Sequence, residues 1–199
     1  MNTSMLDPDK AFLRAQALAA RRALTAEQRA EKSEAIVRRI RAMPAWHSAR
    51  TVLFYVPTRG EVDVMPLLRQ ALQEGRRCLL PRCAPNCALE LLQVEDLQCD
   101  LAPGVFGLME PCADGPDCAG QPIDVILVPG VAYDRQGWRI GYGKGYYDRM
   151  LACYRDRSAL IAPAYAMQLV NDARHQAHDV PMHWIATEDA LLNCLNGGK

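Results

Sequence analysis

Ten consecutive residues, Arg139-Ile140-Gly141-Tyr142-Gly143-Lys144-Gly145-Tyr146-Tyr147-Asp148, carry the densest set of chemically useful groups in the chain. Glycines at 141, 143 and 145 leave a backbone that can turn to positive φ and approach a ligand with no Cβ in the way. Arg139 and Lys144 bring two full positive charges, and Asp148 one negative charge, to the same short stretch. Before it, Ile123-Asp124-Val125-Ile126-Leu127-Val128-Pro129-Gly130 reads as a buried strand entering a loop. After it, Tyr147, Met150, Leu151 and Tyr154 recur on one face of a helix. A glycine-rich loop between strand and helix aims free N–H groups and the positive helix end at one spot, and the two cations strengthen that field. Glycines alone would suit a tight turn with surface charges equally well. With Arg139, Lys144 and Asp148 added, phosphate binding is the better reading.

The spacing excludes two familiar phosphate loops. Gly145 and Tyr146 follow Lys144 where a Gly-x-x-x-x-Gly-Lys loop needs Ser or Thr, and the alternating glycines miss the Gly-x-Gly-x-x-Gly pattern. The segment resembles instead the signature of the 5-formyltetrahydrofolate cyclo-ligase (5,10-methenyltetrahydrofolate synthetase) family. There, Pro-Gly-Val-Ala-aromatic-Asp precedes Arg-Leu-Gly-x-Gly-x-Gly-Tyr-Tyr-Asp; here the two parts are Pro129-Gly130-Val131-Ala132-Tyr133-Asp134 and Arg139 to Asp148. The resemblance extends to Lys10-x-x-x-Arg14, to Glu61, to the segment from Gly104 to Pro111, and to Gln168 and His178-Asp179. Tyr133, Ile140 and Pro163 depart from the family's usual Phe, Leu and Gly, and none of these changes removes a charge.

The resemblance implies conversion of 5-formyltetrahydrofolate and ATP, with Mg²⁺, into 5,10-methenyltetrahydrofolate, ADP and phosphate. It implies ATP contacts at Lys10, Arg14, Arg139, Ile140, Gly141, Tyr142, Gly143, Lys144, Gly145, Tyr146 and Tyr147. The folate is expected at Val56, Glu61, Tyr142, Gly143, Lys144, Gly145 and Tyr146, with Glu61 on the pterin. Arg139, Lys144 and Tyr146 are the implied catalytic residues, and Asp148 and Asp179 the implied metal ligands. Small molecules are the expected partners, with no nucleic acid and no membrane, and a monomeric cytoplasmic protein is expected. The residues by themselves also admit plainer readings. Lys10 and Arg14, one turn apart, suit a solvated basic face; Glu61 suits the first turn of a helix; Asp148 suits a helix N-terminus as a simple complement to the dipole. Two other functions fit the same residues: a non-catalytic nucleotide- or folate-binding relative, and an enzyme of sugar phosphates or CoA esters using Glu61 or Glu110 as its working carboxylate.

Composition narrows the classes. The 199 residues suit one α/β domain with a real core, extended at most by a helical arm at the N-terminus. Lys and Arg total 23 against 23 Asp and Glu, so the overall basic field of a nucleic-acid binder is missing. No apolar run reaches the roughly 20 residues that span a bilayer, and Met1 to Lys10 contains no apolar signal core. The eight cysteines are irregularly spaced without a Cys-x-x-Cys pair; Cys83-x-x-x-Cys87 has no matching second pair, which favours reduced thiols over zinc or disulfides.

The elements that must position these groups follow from periodicity and punctuation. Asp7-Pro8 suggests a cap and first turn for a helix to Ala23, and Thr25-Ala26-Glu27-Gln28 a capping box for a second helix to Met43. Thr51 to Val56 reads as a strand, with Glu61 in the loop beyond it, and Pro66 opens a helix that stops at Gly75. Arg77 to Pro81, Leu89 to Val94, Ile123 to Val128, Ser158 to Ala164 and His183 to Thr187 are further strands. Gly104 to Pro111 is expected as a structured loop, Cys112 to Gln121 as a surface loop, and His175 to Asp179 as a polar loop rather than a transition-metal site. Strands alternating with helices predict an α/β fold: a mainly parallel sheet with helices on both faces.

Overall fold

The computed structural model describes residues 9–84, 88–104, 109–112 and 115–195. The first helix, α1 (Lys10–Ala23), starts on Asp9, whose carboxylate accepts the Phe12 N–H at 2.7 Å. The expected cap at Asp7-Pro8 lies outside the described residues. The capping box forms as the sequence predicts: Gln28 donates its N–H to Thr25 Oγ1, Thr25 donates its own to Gln28 Oε1, and α2 (Ala26–Arg41) follows. A short helix that the periodicity missed, α3 (Pro44–Ser48), buries Trp46; Pro44 at its first position fits the preset φ of proline.

Strand β1 (Thr51–Leu53) ends earlier than expected, although Phe54 and Tyr55 stay buried beyond it. Helix α4 (Met65–Gln73) leads to β2 (Arg77–Cys83), and β3 (Leu89–Val94) turns back against it. β4 (Leu101–Pro103) pairs with β5 (Met109–Pro111), so the end of the expected loop is a strand; Val105 to Leu108 lie outside the described residues. Next come β6 (Val125–Leu127) and a small antiparallel ribbon of β7 (Ala132–Tyr133) and β8 (Arg139–Ile140). Helix α5 (Tyr146–Leu151) is shorter than its apolar pattern suggests. The chain finishes with β9 (Ala159–Pro163), a 3-10 turn (Ala166–Gln168), β10 (Trp184–Ala186) and β11 (Leu191–Asn193).

Seven strands form the main sheet in the order β11-β10-β9-β6-β1-β2-β3. The five central strands run parallel, and the two edge strands antiparallel. Alternation along the strands divides the core in two. Val52, Phe54, Cys78, Leu80, Val125, Leu127 and Ile161 face a cluster built by α2, α3 and α4. Leu53, Leu79, Ile126, Val128, Leu160 and Ala162 face the opposite cluster, with Met150, Leu151 and Tyr154 from α5 and the turn after it. The helix α1 joins neither. Its Leu13 and Ala17 pack on Val131, Ala132 and Ile140 of the ribbon, so it is the arm the sequence suggests.

The strand order decides where a site can be. From β1 the chain crosses by α4 to β2 on one side, while from β6 it crosses by α5 to β9 on the other. Between β1 and β6 the winding therefore reverses, and the loops leaving their C-terminal ends diverge to open a crevice.

Candidate active site

Two loops and one arm build the walls of that crevice. The loop after β1 brings Val56, Thr58, Arg59 and Glu61; the segment after β6 brings Pro129 and the glycine-rich loop; α1 brings Lys10 and Arg14. Together they enclose a cavity of about 610 Å³. Its lining includes Gly141 to Asp148 without a break, together with Arg139, Val56, Glu61 and Asp179. Among the described residues, six cations (Lys10, Arg14, Arg59, Arg139, Lys144 and Arg149) line it against four carboxylates (Glu61, Glu110, Asp148 and Asp179). The cavity is thus positive in a chain whose formal net charge is zero.

The segment after β6 is held by side chains of the motif itself. Tyr133 donates its hydroxyl to the Val128 carbonyl, and Arg139 Nη1 donates to the Pro129 carbonyl. The Gly130 carbonyl accepts from Arg21 Nη1 and Gln168 Nε2, and Gln168 also reaches the Val131 carbonyl at 2.9 Å. Asp134 accepts N–H groups of Gln136, Trp138 and Ala173, which shapes the ribbon turn. Gln168 and Asp134 are thus buried supports of the site. The glycine loop needs left-handed backbone: φ is 94° at Gly143 and 69° at Gly145, the residue that caps α5. With only six residues in α5, the helix dipole adds less than the sequence suggests, and the side-chain charges carry the field.

The cations are not equivalent. Lys10 Nζ donates to Asp179 Oδ2 at 2.7 Å, which joins an expected nucleotide contact to an expected metal ligand. Burial tends to raise the Asp179 pKa, but hydrogen bonds from Lys10 and the Gln176 N–H, with the Lys10 and His178 charges, outweigh it and hold the carboxyl below its ordinary value. Arg139 has a side chain only 5% exposed; its Nη2 donates to Asp148 Oδ1 at 2.8 Å and its guanidinium lies over the Tyr147 ring. Arg139 therefore borders the cavity with its charge already matched. Arg14 Nε donates to the Gly141 carbonyl at 2.8 Å and pins the arm to the loop. Lys144 is exposed and forms no ion pair among the described residues. The side chain of Ile140 is fully buried among the ribbon residues and does not line the cavity, because strand alternation turns it away from Arg139's side.

Glu61 stands at the opposite wall, 8% exposed. Thr58 donates its N–H to Oε2 at 3.0 Å and Tyr142 its hydroxyl to Oε1 at 2.8 Å. Arg21 Nη2 in turn donates to the Tyr142 oxygen. Burial, then the Glu61 charge, pushes the Tyr142 hydroxyl up to about 12, so it remains a proton donor. Burial also raises the Glu61 pKa, opposed by Thr58, Tyr142 and the Arg21 and Arg59 charges. Each carboxylate oxygen keeps a free lone pair for a ligand N–H. Arg21, 1% exposed, escaped the sequence reading although it follows Arg14 by seven residues and Lys10 and Arg14 by the same helical face. Arg59 and Tyr55 also line the cavity without having been singled out, as does Cys83, which the sequence offers only as half of a metal-ligand pair; a lone residue in a loop or at a strand end carries no periodic signal.

No group of three His, Cys, Asp or Glu capable of holding a metal occurs among the described residues. His175 stacks on Trp138 at 3.9 Å between ring centroids, and His178 lies 3.6 Å from Asp179. Asp148 and Asp179 nevertheless border one cavity as hard oxygen donors. Such a set fits Mg²⁺ held by one or two carboxylates together with substrate oxygens, and does not fit an all-protein cage.

Comparison with known proteins gives a consistent result. The family model described as the 5-formyltetrahydrofolate cyclo-ligase family matches residues 7–188. The chain is 32% identical over 170 residues to the 5-formyltetrahydrofolate cyclo-ligase of Escherichia coli (strain K12), covering 84% of this chain and 93% of that one. It is 36% identical over 146 residues to the protein of the same name from Mycolicibacterium smegmatis, covering 70% and 74% of the two chains. Among solved structures, the NMR structure of Aquifex aeolicus 5,10-methenyltetrahydrofolate synthetase superposes with a TM-score of 0.83 at 33% identity, covering 96% of this chain and 95% of that one.

Proposed function

The chain belongs to the 5-formyltetrahydrofolate cyclo-ligase family, and from that premise we propose that it converts 5-formyltetrahydrofolate and ATP into 5,10-methenyltetrahydrofolate, ADP and phosphate. The observation that carries this reading is one cavity with an excess of cations along the glycine loop and a buried, hydrogen-bonded carboxylate, Glu61, at the facing wall. The first feature suits a polyphosphate; the second suits the N–H groups of a pterin, in charge-assisted bonds. The volume falls within the range of small-molecule sites.

The chemistry explains why such a site is needed. The formyl group on nitrogen-5 is an amide, and amide resonance of the strength that gives peptides a rotation barrier of ~18–20 kcal/mol makes its carbon a poor electrophile. In the proposed reaction the formyl oxygen attacks the γ-phosphorus and ADP leaves. Nitrogen-10 then attacks the activated carbon, loses its proton, and the C–O bond breaks to release phosphate and leave the methenyl bridge. Phosphoryl transfer asks mainly for positioning and charge stabilisation. Lys144, with no carboxylate partner among the described residues, is the residue we assign to the transferring phosphoryl group, and Lys10 and Arg14 to the rest of the phosphate chain. Arg139 acts by holding Asp148 and the Pro129 carbonyl in position. Tyr146 lines the same cavity, and we assign its ring and hydroxyl to contacts with the folate.

Asp148 and Asp179 are the residues that would hold Mg²⁺ when it arrives with the nucleotide. The ion would supply neutralising charge at the phosphates. Their present partners, Arg139 and Lys10, hold the two carboxylates in place at the cavity, and the Lys10 bond favours the ionised form of Asp179. The test is the absorbance of the methenyl product formed from 5-formyltetrahydrofolate with and without ATP and Mg²⁺. Product only when both are supplied is the expected result; ATP binding without any product would leave a non-catalytic relative.

A further inference from the structure

Beside the loop that carries Glu61 lies a second hollow of about 430 Å³, lined by Arg21, Arg22, Arg29, Arg59 and Gly60. Four of its five lining residues are arginines and none is acidic. Among the described residues none of the four forms an ion pair, whereas Arg76, Arg82, Arg139 and Arg174 each do. Arg29 Nη1 donates to the Leu24 carbonyl, and its Cδ packs over Gly60, where a Cβ would lie 3.5 Å away. Arg59 is held at φ 51°, a left-handed backbone uncommon for a residue with a side chain. Such an outlier persists only where surrounding contacts over-determine it. Glu61 lies near Arg21 and Arg59, and Glu27 near Arg29, but four guanidinium-bearing side chains set together leave positive charge in excess, and arginine forks suit phosphate and carboxylate oxygens in paired hydrogen bonds.

We propose that this four-arginine hollow is an oxyanion site separate from the catalytic cavity, taking a group with two or more negative charges of the phosphate or carboxylate class. It is joined to that cavity through two residues. Arg59 lines both spaces, with its guanidinium 5.3 Å from the Tyr142 ring centroid. Arg21 lines the hollow and donates to Tyr142, whose hydroxyl donates to Glu61. An anion in the hollow thus competes for Arg59, which lies over Tyr142, and sits beside the stem of Arg21, whose guanidinium is bonded to Gly130 and Tyr142. Two sources share the required chemistry: free phosphate, and the carboxylates of the glutamate tail of a folate bound at Glu61. The second source rests on the function proposed above; the first does not.

The test begins with inorganic phosphate and no substrate. Lys10→Gln/Lys144→Gln protein, in which anion binding to the catalytic cavity is weakened, is titrated calorimetrically with phosphate, then compared with the same protein carrying Arg22→Gln/Arg29→Gln. Neither Arg22 nor Arg29 lines the catalytic cavity. Weakening of phosphate binding by about tenfold or more is expected when two charge-assisted contacts go. Affinity unchanged within about twofold overturns the site. Should the double change impair folding, Arg22→Glu, at an exposed position, gives the same reading, with the loss larger at low ionic strength. The second measurement sorts the sources in otherwise wild-type protein. A KM raised by Arg22→Gln/Arg29→Gln for 5-formyltetrahydrofolate but not for 5-formyltetrahydropteroate, which keeps nitrogen-10 and lacks only the glutamate, assigns the hollow to the tail. Equal KM values with an altered phosphate response assign it to the free anion. Absence of any turnover would sink the proposed function while leaving the phosphate titration able to decide the site.

Discussion

Lys144 and Asp148 are four residues apart in sequence, and their surroundings set them different tasks. Lys144 is exposed at the cavity without an ion-pair partner among the described residues, so its charge is available to a ligand. Lys144→Ala should lower kcat by roughly 10²–10³, the usual loss of one electrostatic stabiliser, while the melting temperature stays close to wild type. Steady-state kinetics with an effect below about threefold would return it to a surface charge. Asp148 would be dispensable to stability if it were only a helix-end acid, worth about 0.3–1 kcal/mol. Its bond to the nearly buried Arg139 changes that expectation. Asp148→Asn leaves a guanidinium without its counter-charge and should cost about 1–3 kcal/mol in ligand-free protein. The same change should raise the Mg²⁺ concentration needed for half-maximal turnover. Thermal melts read the first effect and metal titrations the second; superimposable Mg²⁺ curves would leave Asp148 a structural partner of Arg139 and nothing more.

At the scale of elements, the site depends on a turn that only glycine adopts without strain. Gly145 caps α5 at φ 69°, and the left-handed conformation costs a side-chain-bearing residue about 1–2 kcal/mol. Gly145→Ala should therefore lower the melting temperature by roughly 2–8 °C in a chain of this size and weaken ATP binding as the loop shifts. Intact ATP affinity in calorimetry would show that the loop tolerates a Cβ. The local signals for this element were legible: alternating glycines, the preceding apolar run, and Tyr147, Met150, Leu151 and Tyr154 at helical spacing, of which Met150, Leu151 and Tyr154 are buried. The helix length was not legible, because the apolar face continues through Tyr154 into turns after Leu151. The arm α1 shows the converse. Lys10 and Arg14 were visible as a shared face, but Arg21 farther along the same side is buried against Gly130 and Tyr142, contacts that no spacing on one helix can reveal.

For the molecule as a whole, Glu61 links the site to stability. Its carboxyl ordinarily titrates near 4.5, and burial raises that value in the fold. Folding therefore holds a proton that the unfolded chain releases, so the wild type loses stability as pH rises from the unfolded value through the raised folded one, and no more above it. Glu61→Gln has no such proton to lose. Its stability relative to wild type should grow through that window and then level off, while folate binding weakens by the equivalent of about 1.5–3 kcal/mol and ATP affinity stays nearly intact. Unfolding curves across pH in ligand-free protein check the slope; parallel wild-type and mutant profiles would contradict it. What sequence alone determined here is what local order and periodicity encode: a mainly parallel sheet with alternating faces, the capping box at Thr25, and the cationic glycine loop between strand and helix. What only the tertiary structure decided is which charges are matched. Lys10 meets Asp179 across 169 residues, Arg21 meets Tyr142 across 121, and Tyr142 meets Glu61 across 81. Those pairings follow from the reversal of winding between β1 and β6 and from the docking of α1 on the ribbon, and charge pairing at 3 Å depends on that packing rather than on any spacing along the chain.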